Sequence, residues 1–212
     1  MMIKQSNITK LFAAFSVLAG VTFLLINMVT NNVVNGISVN EGATEAKPIN
    51  GFSLVNHNDN KITTDTFRAR WTFVFFGFTN CPDICPATLS QLVQLNNLIS
   101  QQPSMAGKFH TLFVSVDPDR DSTEYIKEYV KYFDPGFVGA TGEMNNIVAF
   151  EKQFDAFHVI DDKRHENYSV GHTSSVFLVN PDARYSAKFA PPMDVSAVMQ
   201  KLDKFVKEFS KG

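Results

Sequence analysis

The chain holds two cysteines in 212 residues, and they lie four positions apart in Cys81-Pro82-Asp83-Ile84-Cys85-Pro86. Two thiols at that spacing admit three chemistries. A structural disulfide is common outside the cytoplasm, but closing a loop of about five residues removes only ~2 kcal/mol of unfolded-state entropy. A redox dithiol is the second, although the familiar oxidoreductase spacing is C-x-x-C. A metal site is the third, because two thiolates on one loop are soft ligands that suit Cu(I) or Zn. A proline follows each cysteine and biases it away from the α region. Both cysteines are therefore expected in extended backbone, with Pro86 opening a helix whose positive end lies under Cys85 and favours its thiolate. Asp83 opposes thiolate formation by its charge while complementing a helix N-terminus; a solvated loop carboxylate is its plainer role.

Two thiolates rarely complete a metal site, so a third ligand is needed. Of the five histidines, His57 and His165 sit in polar turns, and His110 and His158 flank apolar strands. His172 differs. It lies in Tyr168-Ser169-Val170-Gly171-His172-Thr173-Ser174-Ser175, just before an apolar strand, in a loop placed to cover a helix N-terminus.

The elements that must position these groups follow from the hydrophobic pattern. Residues 71–76 are continuously apolar or β-branched, the composition of a central strand buried on both faces. Helical spacing follows through Leu89, Leu92, Leu95 and Ile99, and residues 110–116 make a second buried strand. Asp121 with Glu124 resembles a capping box for a helix carrying Ile126, Tyr129, Val130 and Phe133. Residues 137–140 suit a short strand, and Thr141 a cap for a helix with Met144, Ile147, Val148 and Phe154. Strands are expected around 157–160 and 175–179, a hairpin partner at 185–189, and a last helix capped by Asp194. Strands alternating with helices point to a three-layer α/β domain.

Hydrophobic content of 44% with 20 Phe supports a real core and excludes disorder. The net charge of −2, with no basic stripe, argues against nucleic acid as a partner. Residues 11–29 carry no charge and include only Ser16, Thr22 and Asn27 as polar residues. As a helix they would reach about 28 Å, close to the hydrocarbon thickness of a bilayer. Lys4 and Lys10 precede the run, which puts residues 1–10 in the cytoplasm and the domain outside. Residues 30–50 read as a flexible linker and 51–212 as the domain. A bacterial inner membrane, crossed once with the C-terminal domain in the periplasm, is the expected location.

Phe76-Gly77-Phe78-Thr79 leading into Cys81-Pro82-Asp83-Ile84-Cys85-Pro86 resembles the signature of the Sco/SenC family, membrane-tethered thioredoxin-like proteins of cytochrome c oxidase assembly. Ser115-Val116-Asp117-Pro118-Asp119-Arg120-Asp121 is similar to a second motif of that family. Tyr168 to His172, followed by Val176-Phe177-Leu178, is similar to a third, which carries a metal-binding His. The resemblance covers residues 48–210. It implies a thioredoxin-like α/β/α domain behind one N-terminal transmembrane helix. It also implies copper held by Cys81, Cys85 and His172, as Cu(I) in a trigonal arrangement open for handing on, with Cu(II) as a second state. The implied role is a metallochaperone rather than an enzyme, and the recipient is the copper-binding subunit of a cytochrome c oxidase; the upstream copper donor and the thiol reductant stay unidentified. Two alternatives stay open: a thiol–disulfide reductase that keeps the recipient's cysteines reduced, with Cys81 and Cys85 as the redox dithiol, and a thiol peroxidase. Gly171 stands where many members have Asp, removing a carboxylate that would orient the imidazole, and Ala183 stands where a turn Gly is usual. Asp117, Arg120 and Asp121 are expected to form an ion-paired turn beneath the site.

Overall fold

Strand β4 (Trp71–Gly77) has every residue buried, which is why its sequence is an unbroken apolar run. The computed structural model describes residues 20–23, 46–161 and 168–211. The chain divides into two compact units, Met1–Val39 and Asn40–Gly212. Of the first, residues 20–23 are described and are helical.

The second unit is built on an eight-stranded sheet. β4 pairs in parallel with β5 (Phe109–Ser115), and β5 with β6 (Val138–Thr141). On one side of β4 lie β9 (Val176–Val179), β10 (Arg184–Phe189) and β1 (Lys47–Pro48), each antiparallel to its neighbour. Beyond β6 lie β2 (Leu54–Asn56) and β3 (Lys61–Ile62), again antiparallel. The helices are α1 (Ile84–Ser100), α2 (Thr123–Phe133), α3 (Met144–Glu151) and α4 (Val195–Phe209). A separate two-stranded ribbon joins β7 (His158–Ile160) to β8 (Val170–His172).

Side chains alternate across a strand, so β4 feeds two aromatic clusters. Phe73 meets Phe109, Phe75 meets Phe113, and Phe113 meets Tyr129 of α2; at the same face Trp71 meets Phe205 and Phe209 of α4. Phe76 points the other way, onto Phe150 of α3, Phe154 and Phe177. Each buried Phe contributes about 1.5–3 kcal/mol, so this sheet with aromatic packing on both faces is the core. The result is the three-layer α/β architecture expected of a thioredoxin-like domain.

Several local expectations change. Cys85 is not extended: α1 begins at Ile84, with Asp83 as its N-cap residue. The proline after Cys85 is tolerated because first-turn N–H groups have no intrahelical partner to lose. Ser122, not Asp121, caps α2, its hydroxyl accepting from Tyr125 N–H. Thr141 ends β6, and Glu143 occupies the N-cap position of α3. Asp194 does cap α4, accepting from the N–H groups of Ser196 and Ala197. The strand expected around 157–160 forms as β7, in the ribbon and not in the main sheet. Within the expected linker, Lys47 and Pro48 pair with β10 and Ile49 is fully buried. Ala183 has φ of 58°, the left-handed region where a glycine is at ease. The expected anchor at 11–29 lies outside the described residues except for 20–23, as do residues 1–10 and 30–45 and His165. Among the described residues, no helix is long and apolar enough to cross a membrane.

Candidate metal centre

Gly77 ends β4, and the chain turns back on itself as Cys81 N–H donates to Phe78 O. α1 then starts, and the N–H of its second residue, Cys85, points at Cys81 Sγ at 3.4 Å. The positive end of the helix therefore addresses Cys81 rather than Cys85, the reverse of the sequence expectation. Cys81 is 8% exposed and Cys85 is fully buried; both thiols are free. The Cys81 thiol is pulled down to about 5, first by the hydrogen bond from the Cys85 thiol, with help from the backbone N–H groups of Cys85 and Asp83, against the opposing effect of burial. Cys85 moves the other way, held protonated by the Cys81 partner and by burial. The pair thus gives up one proton easily and keeps the second.

The seat of Cys85 depends on the end of β4. A Cβ on Gly77 would lie 2.8 Å from Cys85 Sγ and 2.8 Å from Phe113 Cε2. Only glycine leaves room for the sulfur there.

His172 is the last residue of β8, not a loop residue. Its Nε2 lies 3.4 Å from Cys85 Sγ, and its Nδ1 lies 3.2 Å from Thr173 O. A carbonyl only accepts, so Nδ1 carries the hydrogen and Nε2 presents its lone pair to the thiol. The rings of Phe75 and Phe78 stand edge-on to the imidazole at 6.1 and 5.9 Å. A backbone carbonyl thus orients the ring, and Gly171 withholds nothing from it. Gly171 pairs with Val159, which is 61% exposed, and a Cβ there would meet only Val159 O at 3.9 Å. Adjacent strand residues face opposite ways, so a carboxylate at 171 would stand on the ribbon's outer side.

The acidic turn after β5 works as two clamps rather than one ion-paired unit. Asp117 pairs with Arg120 Nε and accepts from the Tyr168 hydroxyl, while Arg120 Nη1 donates to Tyr168 O and its guanidinium stacks 3.6 Å over the Tyr168 ring. That clamp holds the strand leading to His172. Asp121, 1% exposed, instead accepts from the N–H and hydroxyl of Thr79 and from the Ser115 hydroxyl. That clamp holds the cysteine loop. Burial pushes the Asp121 carboxyl above the ordinary value, against the pull of those three hydrogen bonds. Tyr168, Thr79 and Ser115 carry no signal of their own in the sequence beyond lying in the three motifs.

Cys81, Cys85 and His172 bring their donor atoms within 4.8 Å of one another, and among the described residues they are the group so arranged. Asp83 is exposed and belongs to no such group. His57 is buried and accepts from Gly139 N–H, and His110 contacts Arg70. A cavity of about 560 Å³ opens over Cys81 and His172, lined also by Phe78, Pro82, Ile84, Arg120 and Tyr168, with Cys85 buried beneath.

The model of the SCO1/SenC family matches residues 41–207. An SCO2-like protein of Rickettsia prowazekii is 32% identical over 91% of this chain and 94% of its own length. Among solved structures, Arabidopsis thaliana ScoI with copper bound is similar at a TM-score of 0.68 and 30% identity, covering 77% of this chain and 99% of that one. Yeast Sco1 with copper bound is similar at a TM-score of 0.69 and 28% identity, covering 76% and 89%.

Proposed function

Because this chain belongs to the SCO1/SenC family, we propose that it is a copper metallochaperone that carries Cu(I) between Cys81, Cys85 and His172. One observation carries the reading: three electron-pair donors, two sulfurs and Nε2, converge within 4.8 Å. In the metal-free pair a single thiol proton on Cys85 lies among the Cys81 thiolate and the imidazole lone pair. Exchanging that proton for Cu(I) leaves the net charge of the site unchanged and satisfies all three donors with a soft cation, for which thiolate and imidazole are suited. The cavity above leaves a path by which a recipient's ligands reach the ion. The copper-bound state of similar Sco proteins supports the same assignment.

The recipient, by family resemblance, is the copper-binding subunit of a cytochrome c oxidase. Residues 11–29 would hold the chain in a bacterial inner membrane with the domain in the periplasm. A carbonate wash tests this: the full-length chain is expected in the membrane fraction, and a soluble product beginning after residue 30 would refute it. The copper assignment is tested by metal content of the reduced full chain after equilibration with Cu(I). One copper per chain is expected, with none retained after oxidation of Cys81 and Cys85.

A thiol–disulfide reductase is a second reading, favoured by the asymmetry of the pair. Cys81 is the accessible thiolate and would attack a disulfide sulfur of the target. Cys85, after losing its proton, would attack Cys81 Sγ, releasing the target's second thiol and leaving this chain oxidised. Such a step has no use for His172. Retained reductase activity with no copper binding would favour it.

A further inference from the structure

We propose that Glu151 and His158 are positioning residues that set the depth of the His172 imidazole over Cys85, a role that rests on the copper reading of the site. β7 and β8 form a ribbon apart from the eight-stranded sheet, and two strands alone are marginal in water. The outer side of the ribbon brings no packing to the body: Phe157, just before β7, and Val159 within it are 64% and 61% exposed. The inner face carries one buried apolar side chain, Val170, and a polar contact. His158 Nδ1 lies 2.8 Å from Glu151 Oε2, at the last residue of α3, and both side chains are almost wholly out of solvent. An ionised carboxylate only accepts, so Nδ1–H donates to it.

His158 is the register partner of His172. Directly opposed residues of an antiparallel pair share a face, with their Cβ atoms about 4.5–5.5 Å apart. Tying the His158 ring to the end of α3 therefore ties down the face on which His172 stands. Stability is a poor reason for the pair. Glu151 is 2% exposed, and its Oε1 is buried with no hydrogen-bond partner among the described residues. A buried polar pair left partly unmatched does no better than apolar side chains filling the same space. What an apolar pair cannot give is a directed contact between two specific atoms, and that contact aims the ribbon.

The test measures Cu(I) affinity of the reduced full chain by competition with a chelator of known affinity. Glu151→Met is expected to weaken retention about tenfold, the loss that goes with an outer-shell partner. Glu151→Gln keeps an acceptor for Nδ1–H and is expected to stay close to the parent. The double variant Glu151→Met/His158→Phe is expected to regain thermal stability by packing without regaining affinity. In the Cu(II)-loaded protein, the thiolate-to-copper absorption band should move in both Met variants and not in Glu151→Gln. The reduction potential of metal-free Cys81–Cys85 should be the same throughout, since neither residue touches the thiols. Unchanged affinity in Glu151→Met overturns the proposal, as does affinity that returns with stability in the double variant. If the single variant does not fold, the double variant decides alone. A parent that binds no copper refutes the metallochaperone reading and this role with it. A parent that binds copper, beside variants that bind it equally well, refutes the role of Glu151 and His158 alone.

Discussion

Gly77 and Cys85 touch: the hydrogen on the glycine Cα faces the cysteine sulfur, where a Cβ would stand 2.8 Å away. Cys85 and Phe113, the two neighbours of that spot, are both fully buried, so neither can swing into solvent to make room. Gly77→Ala should therefore cost about 1–3 kcal/mol, the usual range for overpacking a closed core. It should also displace Cys85 Sγ from His172 and lower copper retention. Denaturant unfolding and metal content together check this; parental values in both would show that the site tolerates the methyl.

The Cys81 thiol, lowered to about 5, should stay reactive in mild acid. An ordinary thiol titrating near 9 loses about tenfold in thiolate for each unit of pH below that value. Iodoacetamide labelling of the reduced chain should instead change little from pH 8 to 6 and fall only as pH drops through about 5. Peptide mapping should find the label on Cys81, because Cys85 is buried and held protonated. A labelling midpoint near 9 would mean that Cys85 does not donate to Cys81.

The centre of the sheet is legible in the sequence because β4 and β5 are long apolar runs, and both fall within a residue of their expected bounds. The cysteine pair is legible for the plain reason that no other thiols exist in the chain. What escapes a local reading is decided by contacts distant in sequence. His172 lies 87 residues from Cys85, and nothing local says that a three-residue ribbon strand aims it. Asp121 looks like a helix cap from its neighbours, yet Ser122 takes that place and Asp121 turns inward to Thr79, 42 residues away. Proline disfavours α geometry in the residue before it, which predicts an extended Cys85; the first turn of α1 overrides that local bias.

Asp121 should matter more to the loop than to the metal's ligand set. Asp121→Ala would leave the Thr79 N–H and two hydroxyls without their acceptor, at a cost of roughly 3 kcal/mol. Asp121→Asn keeps an acceptor and should fall between. The raised carboxyl also fixes a sign with pH. The folded group holds its proton more tightly than the unfolded one, whose value is 3.8. Its stabilising contribution is complete below 3.8 and is lost as pH rises through the higher folded value. Parent stability relative to Asp121→Asn should therefore decline over that rise. A flat difference across it would show that Asp121 titrates alike in both states.

His172 separates copper carriage from thiol chemistry. The dithiol needs Cys81 and Cys85 for exchange and has no need of an imidazole, whereas a three-donor site loses a ligand when the ring is removed. His172→Ala should weaken copper retention by at least the 10–100-fold that goes with losing an outer-shell partner. The thiols should be nearly untouched, since the Cys85 thiol is the main cause lowering Cys81; the labelling midpoint and the Cys81–Cys85 potential should stay close to parental. Loss of the edge contacts with Phe75 and Phe78 should cost only about 1 kcal/mol, so the fold persists. If the proposed oxidase is the recipient, its assembly should then fail, as it should for Cys81→Ser, and recover in part when copper is supplied in excess, because the two thiolates still capture the ion weakly. Equal copper affinity in His172→Ala and parent, with assembly unaffected, would remove His172 from the site and leave the reductase as the better account of the same two cysteines.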